Sequence, residues 1–462
     1  MKGYDPKQFK RGKLAGVLGL GRSGQSVARL LLKKGFKVLG SDSRPKAELT
    51  SALNSLPKAI KWEWNGHSKR LLKCKFVVKS PGLKPDLPIL KLLSDKNIPV
   101  YSEMEIALAY SKAKAVVAIT GTNGKSTTTQ LTWDIFKAGL PRGRKALLGG
   151  NIGIPLSTTA PASKPTDVLI VECSSYQLED STHFEPRAAA ILNITADHLD
   201  HHGSMAAYMD AKAKIFREQG ASDAMVFNAD DPTVFKLSRE CPSERLYFGT
   251  KGPQIHAWPE GGKLHFKLPG SKKAIVLVAP KLLGHHNLEN ALAAGLLALA
   301  RGIKPAAIQK AFRAFKGVEH RIEPSGMARG IAAINDSKAT NVDSTMVALK
   351  AFEPAGKRLL LILGGLHKGS SYTPLKPWIE KTVKGILTIG SAARRIEEDL
   401  SGLVPIFPCG NIETAVDTAL RIGAKGDILL LSPACASFDQ FKDFEERGRR
   451  FKALVVAAAK TK

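Results

Sequence analysis

Short apolar segments alternate with longer amphipathic segments along most of the chain. The apolar segments are rich in Val, Ile and Leu and are bounded by polar or glycine-containing stretches, which is typical of buried strands. Ten segments are predicted to be strands: 15–18, 37–39, 76–78, 116–119, 168–171, 189–192, 332–334, 359–363, 386–389 and 428–431. Because helical patterns separate these strands, we expect repeated βαβ units and mainly parallel sheets.

Two helical segments carry clear signals at their C-terminal ends. The pattern over 126–138 is followed by Gly139, and the pattern over 288–301 is followed by Gly302. Glycine readily adopts the left-handed conformation that ends a helix. A third helix is predicted over 204–217.

The strand pattern groups into three α/β blocks. A chain of 462 residues is too long for a single hydrophobic core. We predict boundaries that give domains 1–112, 113–316 and 317–462. Within the second block, the segment 246–279 has short alternating runs punctuated by Gly and Pro, so we expect a small antiparallel insertion there.

The composition is that of an ordinary globular protein, with 44% apolar and 24% charged residues. The five cysteines lack metal or redox spacing, which predicts reduced thiols and a cytoplasmic location. No apolar run reaches the roughly 18 residues that a membrane-spanning helix requires, so no integral membrane segment is expected.

The formal net charge of +28 raises the question of an acidic partner. Lys and Arg are dispersed, and aromatic residues are not interleaved with them. Since the common nucleic-acid-binding signatures are also absent from the sequence, we expect no nucleic-acid partner. We interpret the charge as a solvated basic surface.

A glycine-rich segment follows the predicted strand 116–119 and precedes the helix 126–138. It consists of Gly121, Thr122, Asn123, Gly124, Lys125, Ser126 and Thr127. Glycines let backbone N–H groups turn towards phosphate, and the helix N-terminus adds a favourable dipole. Lys125 would reach the β- and γ-phosphates, and the Ser126 hydroxyl suits Mg²⁺. The segment departs from the usual P-loop spacing, because Ile119 stands where the first glycine is expected.

A second phosphate-binding pattern opens the first block. Gly19, Gly21 and Gly24 form GxGxxG after a strand, and Asp42 ends the next strand. This arrangement fits a dinucleotide fingerprint, but the same geometry accommodates any nucleotide diphosphate. The P-loop downstream argues against a simple dehydrogenase.

Two predicted strands of the second block end in residues that can bind metal or phosphate. Glu172 follows 168–171, and an acidic residue beside a P-loop commonly holds Mg²⁺. His198 follows 189–192 and lies beside Asp197. An isolated histidine is more often structural than catalytic, but these neighbours favour a metal or phosphate site.

Lys212 falls on the apolar stripe of the helix predicted over 204–217, together with Tyr208 and Ala211. A buried lysine loses its charge through desolvation, and a neutral amine can react with CO₂. From the residues alone, we favour the alternative in which the Lys212 ammonium reaches solvent along its apolar stem.

Taken together, the motifs resemble the Mur ligase family from Gly19 to about Phe441. The matching segments are DSR (42–44), SPG (80–82), GTNGKST (121–127), GNIG (150–153), NITADHLD (193–200), GHHNLEN (284–290), EHR (319–321), NDSKATN (335–341) and LSPACASFDQF (431–441). The resemblance implies a Rossmann-like N-terminal domain, a central P-loop ATPase domain and a Rossmann-like C-terminal domain.

The resemblance also implies an ATP-dependent ligase that adds D-glutamate to UDP-N-acetylmuramoyl-L-alanine through an acyl phosphate. The alternatives are a sibling Mur ligase, or a ligase similar to folylpolyglutamate synthase, that uses another amino acid. A monomer is expected. The implied cofactors are two Mg²⁺ ions and a CO₂-derived carbamate on Lys212.

Residue roles follow from the same resemblance. Residues expected to bind the UDP substrate are Leu20, Gly21, Ser23, Asp42, Ser43, Ser80, Gly82 and Asn151. Residues expected to bind ATP are those of the P-loop with Asn287, Asn290, Arg321 and Asp336. The expected catalytic residues are Lys125, Glu172, His198 and Lys212, and the expected metal ligands are Ser126, Glu172, His198 and carbamylated Lys212. D-Glutamate would contact Lys338, Thr340, Lys368, Ser437 and Phe444.

Overall fold

A computed structural model of the chain describes residues 11–250, 254–282, 284–367, 369 and 371–460. These residues form three sheets, and all ten predicted strands are confirmed, most of them lengthened by one to three residues. The described chain divides into two compact units. One contains residues up to 281 together with 288–315, and the other contains 282–287 together with 316 onwards.

The first sheet is entirely parallel and has the strand order β3-β2-β1-β4-β5. Its strands are β1 (Leu14–Leu18), β2 (Lys37–Ser41), β3 (Lys61–Glu63), β4 (Phe76–Lys79) and β5 (Val100–Ser102). Its helices are α1 (Arg22–Lys33), α2 (Lys46–Asn54), α3 (Pro88–Asp95) and α4 (Glu103–Ala109). The order reverses between β1 and β4, which creates a crevice at the carboxyl ends of these strands, where open α/β sheets bind ligands.

The second sheet has nine strands in the order β14-β13-β12-β11-β10-β9-β6-β8-β7. They are β6 (Ala115–Thr120), β7 (Ala146–Gly150), β8 (Val168–Glu172), β9 (Ala188–Ile191), β10 (Ala224–Asn228), β11 (Glu244–Phe248), β12 (Ala257–Glu260), β13 (Lys263–Phe266) and β14 (Ile275–Val278). Strands β12 to β14 pair antiparallel, as predicted for the segment 246–279. The prediction was wrong at residues 246–248, which belong to β11 and pair parallel with β10 and β12.

The second sheet is covered by α5 (Lys125–Gly139), α6 (Leu156–Thr159), α7 (Ser175–Glu179), α8 (Leu199–His202), α9 (Met205–Ala213), α10 (Pro232–Leu237), α11 (His285–Ala300) and α12 (Pro305–Ala314). The prediction of a helix over 204–217 was wrong at its C-terminal end, because α9 stops at Ala213 and continues as turns. The apolar residues beyond it, Ile215 and Phe216, are buried without helical geometry.

The third sheet has the order β15-β16-β20-β17-β18-β19 and is parallel except for β15. Its strands are β15 (Glu323–Ala328), β16 (Ile331–Asn335), β17 (Leu359–Gly364), β18 (Val383–Ile389), β19 (Ile406–Gly410) and β20 (Ile428–Leu431). Its helices are α13 (Val342–Ala351), α14 (Lys376–Thr382), α15 (Ala393–Asp399), α16 (Ile412–Ile422) and α17 (Phe444–Lys460). The domain boundaries at 112 and 316 stay predictions.

Central strands are buried along their whole length. Every residue of β8 and of β17 is buried, which is the pattern of parallel strands covered by helices on both faces. None of the described helices is long and apolar enough to cross a membrane.

Buried polar contacts join the first sheet to the second within the first compact unit. Glu105 forms a capping box with Ser102 at the start of α4. The other carboxylate oxygen of Glu105 accepts hydrogen bonds from Thr182 N at 2.7 Å, Thr182 Oγ1 at 2.9 Å and His183 N at 3.0 Å. One carboxylate therefore both starts a helix and anchors it to the neighbouring sheet.

A buried ion pair spans the same boundary. Lys79 Nζ lies 2.7 Å from Asp180 Oδ2, and the Lys79 side chain is 1% exposed. Burial raises the pKa of Asp180 to about 6, although the charge of Lys79 opposes this shift. The pair is thus held largely out of water.

Replacing only one partner of this pair should leave an uncompensated buried charge. We expect Lys79→Met or Asp180→Asn to lower the free energy of unfolding by about 3–5 kcal/mol, and the double variant to recover most of the loss. Urea denaturation measures each value. Lys381→Met removes an exposed pair with Glu353 and should cost less than about 1 kcal/mol. Additive losses in the double variant would contradict the pairing.

Candidate active site

The glycine-rich segment forms a tight loop between β6 and α5. Gly124 has φ of 83° and directly precedes the first residue of α5. A Cβ atom at Gly124 would lie 2.3 Å from Asn290 Oδ1, so only glycine fits without displacing Asn290. The loop thereby presents a helix N-terminus at the carboxyl end of a buried strand, which favours phosphate.

Asn290 packs directly against this loop. Its Oδ1 accepts a hydrogen bond from the Thr128 hydroxyl at 3.1 Å, and its side chain is buried. Asn287 lies one helical turn earlier in α11, within the second compact unit. Reading of adenine by these two residues stays a prediction.

Asn193, which sequence reasoning missed, holds the loop in shape. Its backbone oxygen accepts from Thr122 N at 2.9 Å, and its Oδ1 accepts from Asn123 N at 2.7 Å. Thr122 Oγ1 in turn accepts from Thr195 N at 3.0 Å and lies 3.1 Å from Tyr208 OH. The position of Asn193 just after β9, next to β6, was the signal that could have revealed this contact.

Two lysines converge on one carbonyl oxygen of the loop. Lys125 Nζ and Lys212 Nζ each donate to Gly121 O at 2.8 Å, and Lys125 also donates to Thr122 O at 2.7 Å. Lys212 Nζ also lies 4.5 Å from the centre of the Tyr208 ring.

Lys212 is 1% exposed, so the interpretation that its ammonium reaches solvent was wrong. Its stem runs into the site because Lys212 lies on the buried side of α9, which faces the loop. Burial lowers the pKa of Lys212 well below its ordinary value, and the charge of Lys125 lowers it further. A neutral amine is thus favoured at this position.

Glu172 supplies a buried carboxylate beside the loop. It ends β8, where it pairs in register with Ile119 of β6. Glu172 Oε1 accepts from Asn151 Nδ2 at 2.7 Å, whereas Oε2 is buried without a hydrogen-bond partner among the described residues. An unsatisfied carboxylate oxygen of this kind fits an oxygen-preferring cation such as Mg²⁺, and Ser126 at the start of α5 offers a hydroxyl.

His198 adopts a left-handed conformation, with φ of 56°, just before α8. Its ring centre lies 4.8 Å from that of Tyr176, and its Nε2 lies 3.5 Å from Asp197 Oδ2. The side chain is 41% exposed. His198 therefore belongs to the same segment as Asn193 and Thr195, which contact the P-loop, and it faces partly towards solvent.

The first sheet gathers seven of the eight residues predicted to bind the UDP substrate, whereas Asn151 follows β7 of the second sheet. Leu20, Gly21, Ser23, Asp42, Ser43, Ser80 and Gly82 follow the carboxyl ends of β1, β2 and β4. A Cβ atom at Gly24 would lie 1.9 Å from Gly19 O, so the first turn of α1 closely approaches the loop before it. Ser80 Oγ donates to Gly19 O at 3.1 Å.

The Asp42 carboxylate already accepts hydrogen bonds from residues near the loop. Its Oδ2 accepts from Leu20 N at 2.7 Å, and the Arg44 guanidinium lies 2.9 Å from the same oxygen. Burial would raise the pKa of Asp42, but these hydrogen bonds and the Arg44 charge lower it below its usual value. Asp42 is thus an ionised carboxylate that positions the loop.

In the second unit, Asp336 follows β16 and is fully enclosed. It accepts from Ser432 Oγ at 2.7 Å and from Ile322 N at 3.1 Å. Burial raises the pKa of Asp336 to about 7 despite these bonds and the charge of Arg321. Burial and the same Arg321 charge lower the pKa of His286 to about 4, which keeps that imidazole neutral.

Part of the predicted amino-acid-binding set comes together in the second unit. Lys338 Nζ lies 5.8 Å from the centre of the Phe444 ring. Thr340 is close in the chain to Lys338, and Ser437 is buried in the segment after β20. Lys368 lies outside the described residues.

Arg447, a residue that sequence reasoning missed, connects the segments that carry this set. Its guanidinium is buried and donates to Ser337 Oγ at 3.0 Å, Ser337 O at 2.9 Å and Cys435 O at 3.1 Å. Burial lowers the pKa of Arg447 to about 10. Its helical position among polar residues gave no signal of burial.

Comparisons with known proteins agree with the three sheets. Residues 13–102 match the Mur ligase MurD-like N-terminal domain, residues 119–298 the Mur ligase middle domain, and residues 320–435 the Mur ligase glutamate ligase domain. Similar solved structures include the MurF ligase of Thermotoga maritima in complex with ADP (15% identity, TM-score 0.60, covering 98% of this chain and 97% of that one). Another is the UDP-N-acetylmuramate–alanine ligase of the same organism (20% identity, TM-score 0.59, covering 96% and 99%). At these identities, the likeness concerns the fold.

Curated relatives are similar over nearly the whole chain. The UDP-N-acetylmuramoylalanine–D-glutamate ligase of Elusimicrobium minutum is 47% identical over 98% of this chain and 99% of its own length. The protein of the same name from Koribacter versatilis is 42% identical over 96% and 97%. With three matching domains and full-length relatives at this identity, the chain belongs to the Mur ligase family.

Proposed function

We propose that the chain is an ATP-dependent ligase that joins D-glutamate to UDP-N-acetylmuramoyl-L-alanine, releasing ADP and phosphate, in the synthesis of peptidoglycan precursors. The observation that carries this proposal is the P-loop on which Lys125 and Lys212 converge, beside the unsatisfied oxygen of Glu172. The names of relatives at 42–47% identity support the choice of substrates.

ATP would bind with its phosphates at the start of α5. The backbone N–H groups of the loop and the Lys125 ammonium favour the charge of the phosphates. Lys125 now donates to two loop carbonyls, so it exchanges these contacts for phosphate oxygens. Residues proposed to hold the rest of the nucleotide are Asn287 and Asn290 at adenine, Asp336 at ribose and Arg321 at phosphate.

The donor set suits two Mg²⁺ ions. We propose Ser126, Glu172, His198 and carbamylated Lys212 as ligands. The buried Oε2 of Glu172, which has no hydrogen-bond partner among the described residues, supports the place of Glu172 in this set. Bound Mg²⁺ would neutralise phosphate charge and polarise the γ-phosphoryl group.

Lys212 is placed to become a carbamate. Its neutral amine would add to CO₂, forming an N–C bond and releasing one proton, and so would become an anionic carbamate. The carbamate would attract the Lys125 ammonium and would provide an oxygen ligand for a cation.

The reaction begins when the alanyl carboxylate attacks the γ-phosphate of ATP, giving an acyl phosphate and ADP. The residues of the first sheet and Asn151 orient the substrate, while the P-loop and Lys125 stabilise the charge on the transferred group. The neutral amine of D-glutamate then attacks the acyl carbon, the C–O bond to phosphate breaks, and the nitrogen gives up one proton as the amide forms. Lys338, Thr340, Lys368, Ser437 and Phe444 are proposed to orient D-glutamate. A cytoplasmic location and a monomeric state stay predictions.

Lys125→Ala should reduce ADP release by at least about 100-fold, because it removes a charge that stabilises the transferred phosphoryl group. The melting temperature should change little, since Lys125 donates to carbonyl oxygens of its own loop. Lys137→Ala, at an exposed position of the same helix, is the matched control. Near-normal turnover of Lys125→Ala would rule out the P-loop assignment.

Amino-acid choice tests the substrate assignment. With UDP-N-acetylmuramoyl-L-alanine as acceptor, D-glutamate should support ADP release far better than L-glutamate, L-lysine or D-alanine. A coupled ADP assay with each amino acid measures this preference. Equal or greater activity with another amino acid would assign the chain to a sibling specificity.

Carbamylation of Lys212 predicts a particular pattern of rescue. Lys212→Ala should be nearly inactive and should regain activity with added acetate or propionate, whose carboxylate replaces the carbamate. Lys212→Arg should stay inactive, because guanidinium remains charged and does not form a carbamate. The same acids should not rescue Lys125→Ala.

A direct measurement accompanies the rescue assay. Protein equilibrated with ¹³C-bicarbonate should show a carbamate carbon signal by NMR that Lys212→Ala lacks. An active Lys212→Arg enzyme would show that only a positive charge is required at this position. An unchanged ¹³C spectrum in Lys212→Ala would show that the carbamate is not on Lys212.

A further inference from the structure

Three side chains with metal-binding atoms meet outside the proposed magnesium ligands. Glu179 ends α7, and His201 and His202 end α8. His201 Nε2 lies 2.8 Å from Glu179 Oε2, and His202 Nδ1 lies 3.2 Å from Glu179 Oε1. One donor atom from each residue lies within 4.8 Å of the other two.

His202 also has a buried ring nitrogen that makes no hydrogen bond among the described residues. The His202 side chain is fully buried, and its Nε2 lies 3.0 Å from Ser175 Oγ. Its Nδ1 faces the Glu179 carboxylate but has no hydrogen-bond partner among the described residues. When Nε2 carries the proton and donates to Ser175, the Nδ1 lone pair faces a carboxylate, an arrangement that a cation between them would stabilise.

We propose that Glu179, His201 and His202 form a further metal site that takes a zinc-class dication.

The donor types favour Zn²⁺ over Mg²⁺. Two imidazoles and one carboxylate suit Zn²⁺, whereas Mg²⁺ prefers oxygen ligands in octahedral geometry. Neighbouring ligands around a tetrahedral zinc ion are about 3.3 Å apart, close to the N–O distances of 2.8 Å and 3.2 Å here. Small side-chain adjustments would therefore complete the site, leaving one coordination position for water.

The surroundings also fix the geometry of the cluster. The Tyr176 ring centre lies 4.3 Å from that of His201 and 5.5 Å from that of His202, so it packs against both imidazoles. Ser175 fixes the outer nitrogen of His202 in the manner of an outer-shell partner. Lys214 donates to the backbone oxygen of Glu179, which leaves the carboxylate of Glu179 facing the histidines.

Binding would connect two short helices. The ion would bridge the end of α7 to the end of α8, and α8 begins immediately after His198. The expected effect is to stabilise the segment that carries His198, in proportion to how far the free ion exceeds its dissociation constant.

Untagged full-length protein in excess Mg²⁺ should be titrated with Zn²⁺ by calorimetry, with bound metal counted by elemental analysis. We expect one equivalent of Zn²⁺ that Mg²⁺ does not displace. His201→Gln and Glu179→Gln should each weaken binding at least tenfold. His183→Gln, an exposed histidine near the same segment, is the matched control and should bind normally. Because metal binding is measured without turnover, failure of this proposal can be distinguished from failure of the proposed ligase activity.

Co²⁺ provides an independent measurement. The wild-type protein should show the intense visible bands of tetrahedral Co²⁺, and His201→Gln should lose them while keeping the wild-type circular dichroism spectrum. The proposal is overturned if Mg²⁺ displaces the bound Zn²⁺, or if His201→Gln and Glu179→Gln bind as tightly as wild type. Loss of binding in His198→Gln with retention in His201→Gln would place the ion at the magnesium ligands and would equally overturn it.

Discussion

The convergence of the Lys125 and Lys212 side-chain nitrogens on Gly121 O is the constraint around which the first unit's site is built. Each nitrogen lies 2.8 Å from the same oxygen, so the two are no farther apart than twice that distance. Two positive charges about 5 Å apart repel by roughly 3 kcal/mol at an effective dielectric constant near 20. The arrangement therefore favours states in which Lys212 is neutral or anionic, or in which phosphate charge is present. Asn193 keeps the Gly121 carbonyl in place, because it accepts hydrogen bonds from the backbone N–H groups of Thr122 and Asn123.

The two units differ in how their buried cationic side chains are satisfied. In the first, Lys125 and Lys212 donate to neutral carbonyl oxygens of the P-loop, an arrangement that suits an anionic ligand. In the second, the buried guanidinium of Arg447 is satisfied by neutral oxygens, chiefly of Ser337 and Cys435. Because those oxygens belong to segments after β16 and β20, Arg447 fixes their spacing without neutralising its own charge. A positive field is thus maintained near the residues proposed to hold an acidic amino acid.

Local patterns made much of this architecture predictable. Strand positions follow from short apolar runs, and the P-loop follows from glycines between a strand and a helix. The burial of Lys212 could not be decided in this way, because it depends on α9 packing against a loop some ninety residues earlier in the chain. The early end of α9 and the roles of Asn193 and Arg447 depend likewise on distant contacts. The family resemblance supplied the roles of residues such as Asn287, which periodicity alone would have left unassigned.

The contacts between the first two sheets determine which substitutions related chains can accept at that boundary. Two of the donors to the second oxygen of Glu105 are backbone N–H groups, at Thr182 and His183, and these persist whichever side chains occupy those positions. The ion pair of Lys79 and Asp180 depends on both side chains, because a substitution of either one leaves the other charge buried without its partner. In a chimera that took its first sheet from a relative, Glu105 would still accept from the backbone N–H groups at positions 182 and 183, even if the side chains there differed. The residues at positions 79 and 180 would have to come from the same parent to keep the ion pair. We therefore expect these two positions to covary among related chains.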